Sequence, residues 1–244
     1  MPETYFNKLL LVFILIGAWE FSSLIKLKNT ASKVALLFSI GAGAIIIQNN
    51  PDIIIYVLYI AIFWWALNLY WVLSYPEKTS LWFKPLTMRI VNGFLLLIPM
   101  FLALIILQQQ YGPEYFLLLM LVIWGADSGA YFTGKTFGKH KLSPKVSPGK
   151  SIEGVVGGIS SATIIMFIFL QYQNIPAEKH FGFLILAIVV SSVSVLGDLF
   201  ESLFKRVSNI KDSSNILPGH GGILDRIDSL TAAAPFFLIG LSLL

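Results

Sequence analysis

Apolar residues in this chain gather in long blocks separated by short polar turns. A transmembrane helix needs about 20 mostly apolar residues, and the blocks predict eight such helices: Phe6–Ile25, Val34–Gln48, Ile53–Leu73, Ile90–Leu107, Tyr115–Phe132, Val155–Gln171, Phe181–Leu199 and Ile227–Leu244. The second is short enough to be tilted or partly re-entrant. The fold class that follows is all-α, a polytopic integral membrane protein of about eight transmembrane helices. The aromatic residues within the blocks, Trp64, Trp65 and Trp71 among them, are expected at lipid-facing or interfacial positions.

The first block occupies the place of a signal peptide. It is too long for the usual apolar core of one, runs into Trp19-Glu20, and meets no small-residue cleavage site, so it is expected to be retained. Composition supports the membrane reading: 56% of residues are hydrophobic and 12% charged, with a mean hydropathy of +0.78. An ordinary soluble domain is rarely so apolar. The absence of cysteine excludes disulfides, thiolate catalysis and cysteine-ligated metal.

Charge then orients the blocks. The net charge is +4, and fifteen of the seventeen Lys and Arg residues lie in four alternate connections. These carry Lys26, Lys28 and Lys33; Lys78, Lys84 and Arg89; Lys135, Lys139, Lys141, Lys145 and Lys150; and Lys205, Arg206, Lys211 and Arg226. Only Lys8 and Lys179 remain for the other side. The positive-inside rule therefore predicts that these connections are cytoplasmic and that both termini face outward. No repeat, low-complexity tract or long linker divides the chain, so residues 1–244 are expected to form a single transmembrane domain. The site is expected at its cytoplasmic face, in an inner (cytoplasmic) membrane.

Two cytoplasmic regions hold chemistry. The first, 124–154, reads "WGADSGAYFTGKTFGKHKLSPKVSPGKSIEG". Asp127 falls within a predicted span, five lysines follow among glycines and prolines, and Glu153 opens the next span. Glycine lets backbone amides approach an anion, and lysine supplies point charge for phosphate. A lysine run can also serve only to anchor a loop against anionic headgroups, but that role needs neither Asp127 nor Glu153. The second region, 196–229, reads "LGDLFESLFKRVSNIKDSSNILPGHGGILDRIDS". Asp198, Ser202 and Lys205 fall near one helix face. Pro218 and the glycines at 219, 221 and 222 break the chain, after which Asp225 and Asp228 share a face of the next helix. Mg²⁺ prefers one or two protein carboxylates together with substrate phosphates and water. Two aspartates from two helices, among Lys and Arg, suit that requirement. Asp225-Arg226-Ile227-Asp228 is also compatible with a self-solvating helix end, and a lone His220 with a structural role. Beside Gly221 and Gly222, however, His220 becomes a candidate for phosphate contact.

Residues 202–228, "SLFKRVSNIKDSSNILPGHGGILDRID", resemble the signature of the CDP-diacylglycerol synthases, also called phosphatidate cytidylyltransferases. Ser202, Lys205, Arg206, Lys211, Asp212, Ser214, Pro218, His220, Gly221, Gly222, Asp225, Arg226 and Asp228 fall in register with it. The upstream "DSGAYFTGKTFGKHKLSP" is similar to the same family's middle loop, so the likeness covers residues 120–244. Where the family usually shows Ser-Pro-Lys-Lys-Thr-Trp-Glu-Gly this chain has "SPGKSIEG". Gly149 and Ile152 thus depart from the pattern, while Lys150 and Glu153 keep register.

The resemblance implies a membrane-bound nucleotidyltransferase that joins CTP and phosphatidate to give CDP-diacylglycerol and pyrophosphate. Mg²⁺, with room for a second cation, is expected on Asp198, Asp225 and Asp228. Lys205, Arg206, Lys211, His220 and Arg226 are the candidate catalytic phosphate contacts. Asp127, Lys150, Glu153, Ser202, Gly221 and Gly222 are candidates for substrate binding. Membrane lipids are expected partners and nucleic acid is not; the resemblance also allows a homodimer. A cytidylyltransferase or kinase for another lipid is a near rival. A transporter of an anionic lipid or nucleotide is a more distant one, because the charges cluster at one face rather than at mid-bilayer.

Overall fold

A computed structural model describes residues 3–214, 216, 219 and 221–244. The chain folds as α1 (Glu3–Leu24), α2 (Thr30–Gln48), α3 (Pro51–Leu73), a single turn α4 (Thr79–Trp82) and α5 (Leu86–Ile106). A π-helical turn (Leu107–Tyr111) leads into α6 (Pro113–Phe137). A hairpin of β1 (Lys141–Ser143) and β2 (Ser147–Ser151) follows, then α7 (Ile152–Tyr172), α8 (Ala177–Ser208) and α9 (Leu224–Ser242). Among the described residues, seven helices are long and apolar enough to cross a membrane. Helix α9 is 19 residues long but starts with Asp225, Arg226 and Asp228. Each predicted block thus falls on one long helix, and α2 is continuous over 19 residues rather than re-entrant. Among the described residues the one sheet is the β1–β2 hairpin, where Pro144 and Pro148 disrupt any helical pattern.

Helix α5 is the centre. Every residue from Leu96 to Ile105 is buried, and the helix packs against α1, α2, α3 and α9. Helix α8 joins this core to the α6–α7 pair. There glycine lets backbones touch, as small residues do in membrane helix pairs. A Cβ on Gly158 would stand 2.6 Å from the Ala126 carbonyl oxygen, and one on Gly129 would stand 2.8 Å from that of Gly157.

The tryptophans correct the sequence expectation. Trp64, Trp65 and Trp71 are buried rather than lipid-facing or interfacial. Trp64 and Trp65 pack edge-on against Phe200 of α8, with centroids 5.2 and 5.5 Å away, and Trp71 stacks on Trp82 at 5.7 Å. Trp64 also donates its Nε1 hydrogen to Asn92 Oδ1 on α5 at 3.0 Å. These rings fill the space between α3 and α8. In a helix apolar on every side, hydropathy does not distinguish a face turned to lipid from one turned to protein.

Connections from four parts of the chain meet at one end of the bundle. Arg206 Nε donates to Val146 O at the hairpin tip, Lys26 Nζ to Val207 O, and Arg89 to Ile25 O. At the opposite end, Thr4 and Asn7 of α1 lie beside Gln48, and Ser242 of α9 lies beside Pro51 and Gln110. Both terminal helices therefore have their free ends far from the lysine-rich connections.

Candidate active site

Helix α8 is the backbone of the site. Gly197 has no side chain, so α9 approaches closely: a Cβ there would lie 2.5 Å from the Asp228 carbonyl oxygen. This contact sets Asp198, the next residue of α8, beside the first turns of α9. A cavity of about 630 Å³ opens between α6, the hairpin, α8 and α9. Asp127, Lys150, Asp198, Asp225, Arg226 and Asp228 all line it, so six of the residues named from sequence come together. Asp198 is within electrostatic range of both Asp127 and Asp228.

The hairpin and the last turn of α6 deliver lysines to the cavity. Lys150 Nζ pairs with Asp198 Oδ2 at 2.7 Å, and Lys135 and Lys141 also line the cavity. Glu153 sets the hairpin rather than facing the cavity. Its carboxylate accepts from the Lys139 and His140 amides at 3.1 and 3.2 Å, and it pairs with His140 Nδ1 at 2.6 Å. Ser151 caps α7 by accepting from the Gly154 amide at 3.1 Å. Strand β2 thus passes directly into α7, with Lys150 aimed at α8.

Helix α8 carries the supporting residues. Ser202 Oγ donates to Asp198 Oδ1 at 3.2 Å, one turn away. Lys205 lies between two carboxylates, 3.0 Å from Glu201 Oε2 and 2.7 Å from Asp225 Oδ1, and its side chain is only 15% exposed. Glu201 is 4% exposed, so this lysine neutralises a buried acid that sequence reading passed over. Neither Lys205 nor Arg206 lines the cavity, because Arg206 holds the hairpin tip. Lys211 and Asp212 are exposed on the loop outside it.

Asp225 accepts a full set of donors. Besides Lys205, it receives the Ser213 amide at 3.1 Å and the Gly222 amide at 2.7 Å. Gly221 has φ +80°, the left-handed conformation that glycine adopts without strain, as the chain turns into α9. Gly221 and Gly222 therefore shape the loop around Asp225. His220 and Pro218 lie outside the described residues.

Glu20 of α1 was missed as a site residue. It is fully buried, and accepts from the Ser214 hydroxyl and from the Ile223 and Leu224 amides. The available signal was a carboxylate within a span, which by default points to function.

No three or more His, Asp or Glu among the described residues form a closed metal cage. The donor set nevertheless fits a cation that arrives with phosphates, since Mg²⁺ keeps water and substrate oxygens and takes only one or two carboxylates. Asp198 and Asp228 present such carboxylates beside the lysines that would meet the phosphates.

Comparison with known proteins identifies the family. The phosphatidate cytidylyltransferase of Haemophilus influenzae is 40% identical over 258 aligned positions, covering 96% of this chain and 88% of that protein. That of Pseudomonas aeruginosa is 42% identical over 223, covering 91% and 82%. The Bacillus subtilis protein of the same name is 47% identical over 135, covering 55% and 50%. The sequence model of the cytidylyltransferase family matches residues 1–244 throughout, and the chain belongs to that family.

Proposed function

We propose that this protein transfers a cytidylyl group from CTP to phosphatidate, giving CDP-diacylglycerol and pyrophosphate. The observation that carries the proposal is the cavity that gathers Lys150, Asp198, Asp225 and Asp228 from three separate parts of the chain. A phosphatidate phosphate oxygen attacks the α-phosphorus of CTP. The new P–O bond forms as the bond from the α-phosphorus to the bridging oxygen breaks, and pyrophosphate leaves with that electron pair. The attacking oxygen is already ionised at neutral pH, so no general base is required.

Catalysis of this kind rests on positioning and charge neutralisation. Lys135, Lys141, Lys150 and Arg226 offer cations to the triphosphate along the cavity wall. Asp198 and Asp228 would hold Mg²⁺, with Asp225 joining once Lys205 leaves its Oδ1. Bound there, the cation would neutralise the charge that develops on the phosphate oxygens. Lys205 and Arg206 support this reading indirectly, one by fixing Asp225 and the other by fixing the hairpin.

The end bearing the site faces the cytoplasm in this reading, and the protein lies in the inner membrane. The support is the crowding of fifteen of seventeen basic residues into the four connections whose contacts meet at that end. The test uses purified protein in detergent with labelled CTP, phosphatidate and Mg²⁺. Label should pass into the lipid extract and pyrophosphate should appear only when all three are present. Absence of labelled lipid, with reconstituted vesicles instead moving an anion or lipid, would replace the transferase with a transporter.

A further inference from the structure

Glu20 belongs to α1, some 200 residues in sequence from the loop it holds. Its Oε1 accepts from Ser214 Oγ at 2.5 Å and the Ile223 amide at 3.0 Å. Its Oε2 accepts from the Leu224 amide at 2.6 Å and lies 3.5 Å from Ser213 Oγ. A carboxylate buried without donors would be strongly unfavourable, and here four donors converge on it. Two of them are amides at the start of α9, where a helix leaves its first N–H groups without partners and carries partial positive charge.

The same stretches of chain are gripped from the other side. Asp225 accepts from the amides of Ser213 and Gly222. Ser213 therefore gives its amide to Asp225 and turns its hydroxyl to Glu20. Residues 213–214 and 222–224, near the two ends of the connection between α8 and α9, lie between two carboxylates. Asp225 holds them from the cavity and Glu20 from within the bundle. A Cβ at Gly222 would stand 2.6 Å from Glu20 Oε1, so the glycine leaves the space that the carboxylate needs.

We infer that Glu20 is a positioning residue for cytidylyl transfer: it sets the loop and the first turn of α9, and through them Asp225, without touching substrate. The inference rests on Asp225 being part of the site. Glu20→Gln keeps shape but turns one acceptor into a donor facing another donor. Ser214→Ala removes one donor and leaves the carboxylate in place.

The experiment measures four quantities on the full-length protein: kcat, the KM for CTP, the thermal midpoint, and the rate of trypsin cleavage between residues 206 and 226. For Glu20→Gln, loop cleavage should accelerate and kcat should fall by about tenfold or more, while the CTP KM rises, because small displacements of a reacting group weigh heavily. The midpoint should fall by several degrees, since a buried donor is left facing a donor, without loss of the cooperative transition. Ser214→Ala should shift the same quantities in the same direction by less, and it carries the test if Glu20→Gln does not fold. Unchanged cleavage and unchanged CTP KM in either folded variant would overturn the inference. So would faster cleavage with parental kcat and KM, which would make Glu20 a scaffold residue only. Failure of the underlying reading shows separately, as full activity in Asp225→Asn.

Discussion

Lys150 Nζ and Asp198 Oδ2 lie 2.7 Å apart, so the β hairpin is tied to α8 by one ion pair across the cavity. The two side chains are 22% and 32% exposed, and ion pairs open to solvent contribute only about 0–1 kcal/mol to stability. Their loss should therefore register in function more than in folding. In the proposed reaction a substrate phosphate would compete with Asp198 for this lysine. Lys150→Met is expected to raise the KM for CTP about tenfold, the scale of one lost charge-assisted contact, and to leave the thermal midpoint near its parental value. Steady-state kinetics with CTP varied at fixed phosphatidate provide the check. An unchanged KM would remove Lys150 from the nucleotide site.

Asp198 and Asp225 approach the cavity from different helices, and asparagine removes the charge of either while keeping its shape. Asp198→Asn and Asp225→Asn should each lower kcat by about 10²-fold or more. The double variant should fall far short of the product, because either change already disables the shared site. Asp212→Asn, on the exposed part of the loop, should have a smaller effect. Turnover measured against Mg²⁺ concentration for the singles and the double distinguishes the cases. Multiplicative losses with the same Mg²⁺ dependence would mean the two aspartates act apart.

Two glycines should respond in opposite ways. Gly197→Val pushes a side chain into the Asp228 backbone and must part α8 from α9. It should abolish most activity and lower the thermal midpoint. Gly149, where this chain departs from the family pattern, has nothing within 4 Å of a Cβ. Gly149→Ala should stay within about twofold of parental activity, because the added methyl meets open space although Gly149 lines the cavity. Activity and midpoint measured together settle both, and a silent Gly197→Val would mean that α8 and α9 need not touch there.

The chain has no cysteine, so single cysteines report sidedness cleanly. Cysteines within 133–150 and 207–222 should react with an impermeant thiol reagent only from the cytoplasmic side, and one at residue 110 only from outside. Labelling of both lysine-rich connections from outside would invert the orientation of the site.

The helices were legible because each span leaves an apolar block, and the acidic and basic candidates because charges within such blocks stand out. Asp127, Lys150, Asp198, Asp225, Arg226 and Asp228 do line one cavity. What the sequence could not convey was which partner each charge meets. Lys205 reads as a phosphate ligand until Glu201 and Asp225 are seen on either side of it. Glu153 reads as a site residue until its carboxylate is found on the hairpin amides. Glu20 was hidden for a related reason: its donors are backbone amides and serines some 200 residues away, and such groups carry no signal in a linear pattern. The tryptophans were misjudged because hydropathy scores lipid and protein interior alike.

The cavity wall includes Tyr131, Val155 and Val195 as well as its charged residues. The two substrates of the proposed reaction come from different phases, one dissolved in water and one confined to a two-dimensional film. For the film-bound substrate the meaningful concentration is a mole fraction among neighbouring amphiphiles. Adding inert detergent or lipid at constant total phosphatidate should therefore slow the enzyme as if substrate had been withdrawn, while the dependence on CTP follows ordinary molarity. One product stays in the film where the next lipid enzyme can meet it by lateral diffusion, and the other escapes into bulk water, where its dilution draws the reaction forward.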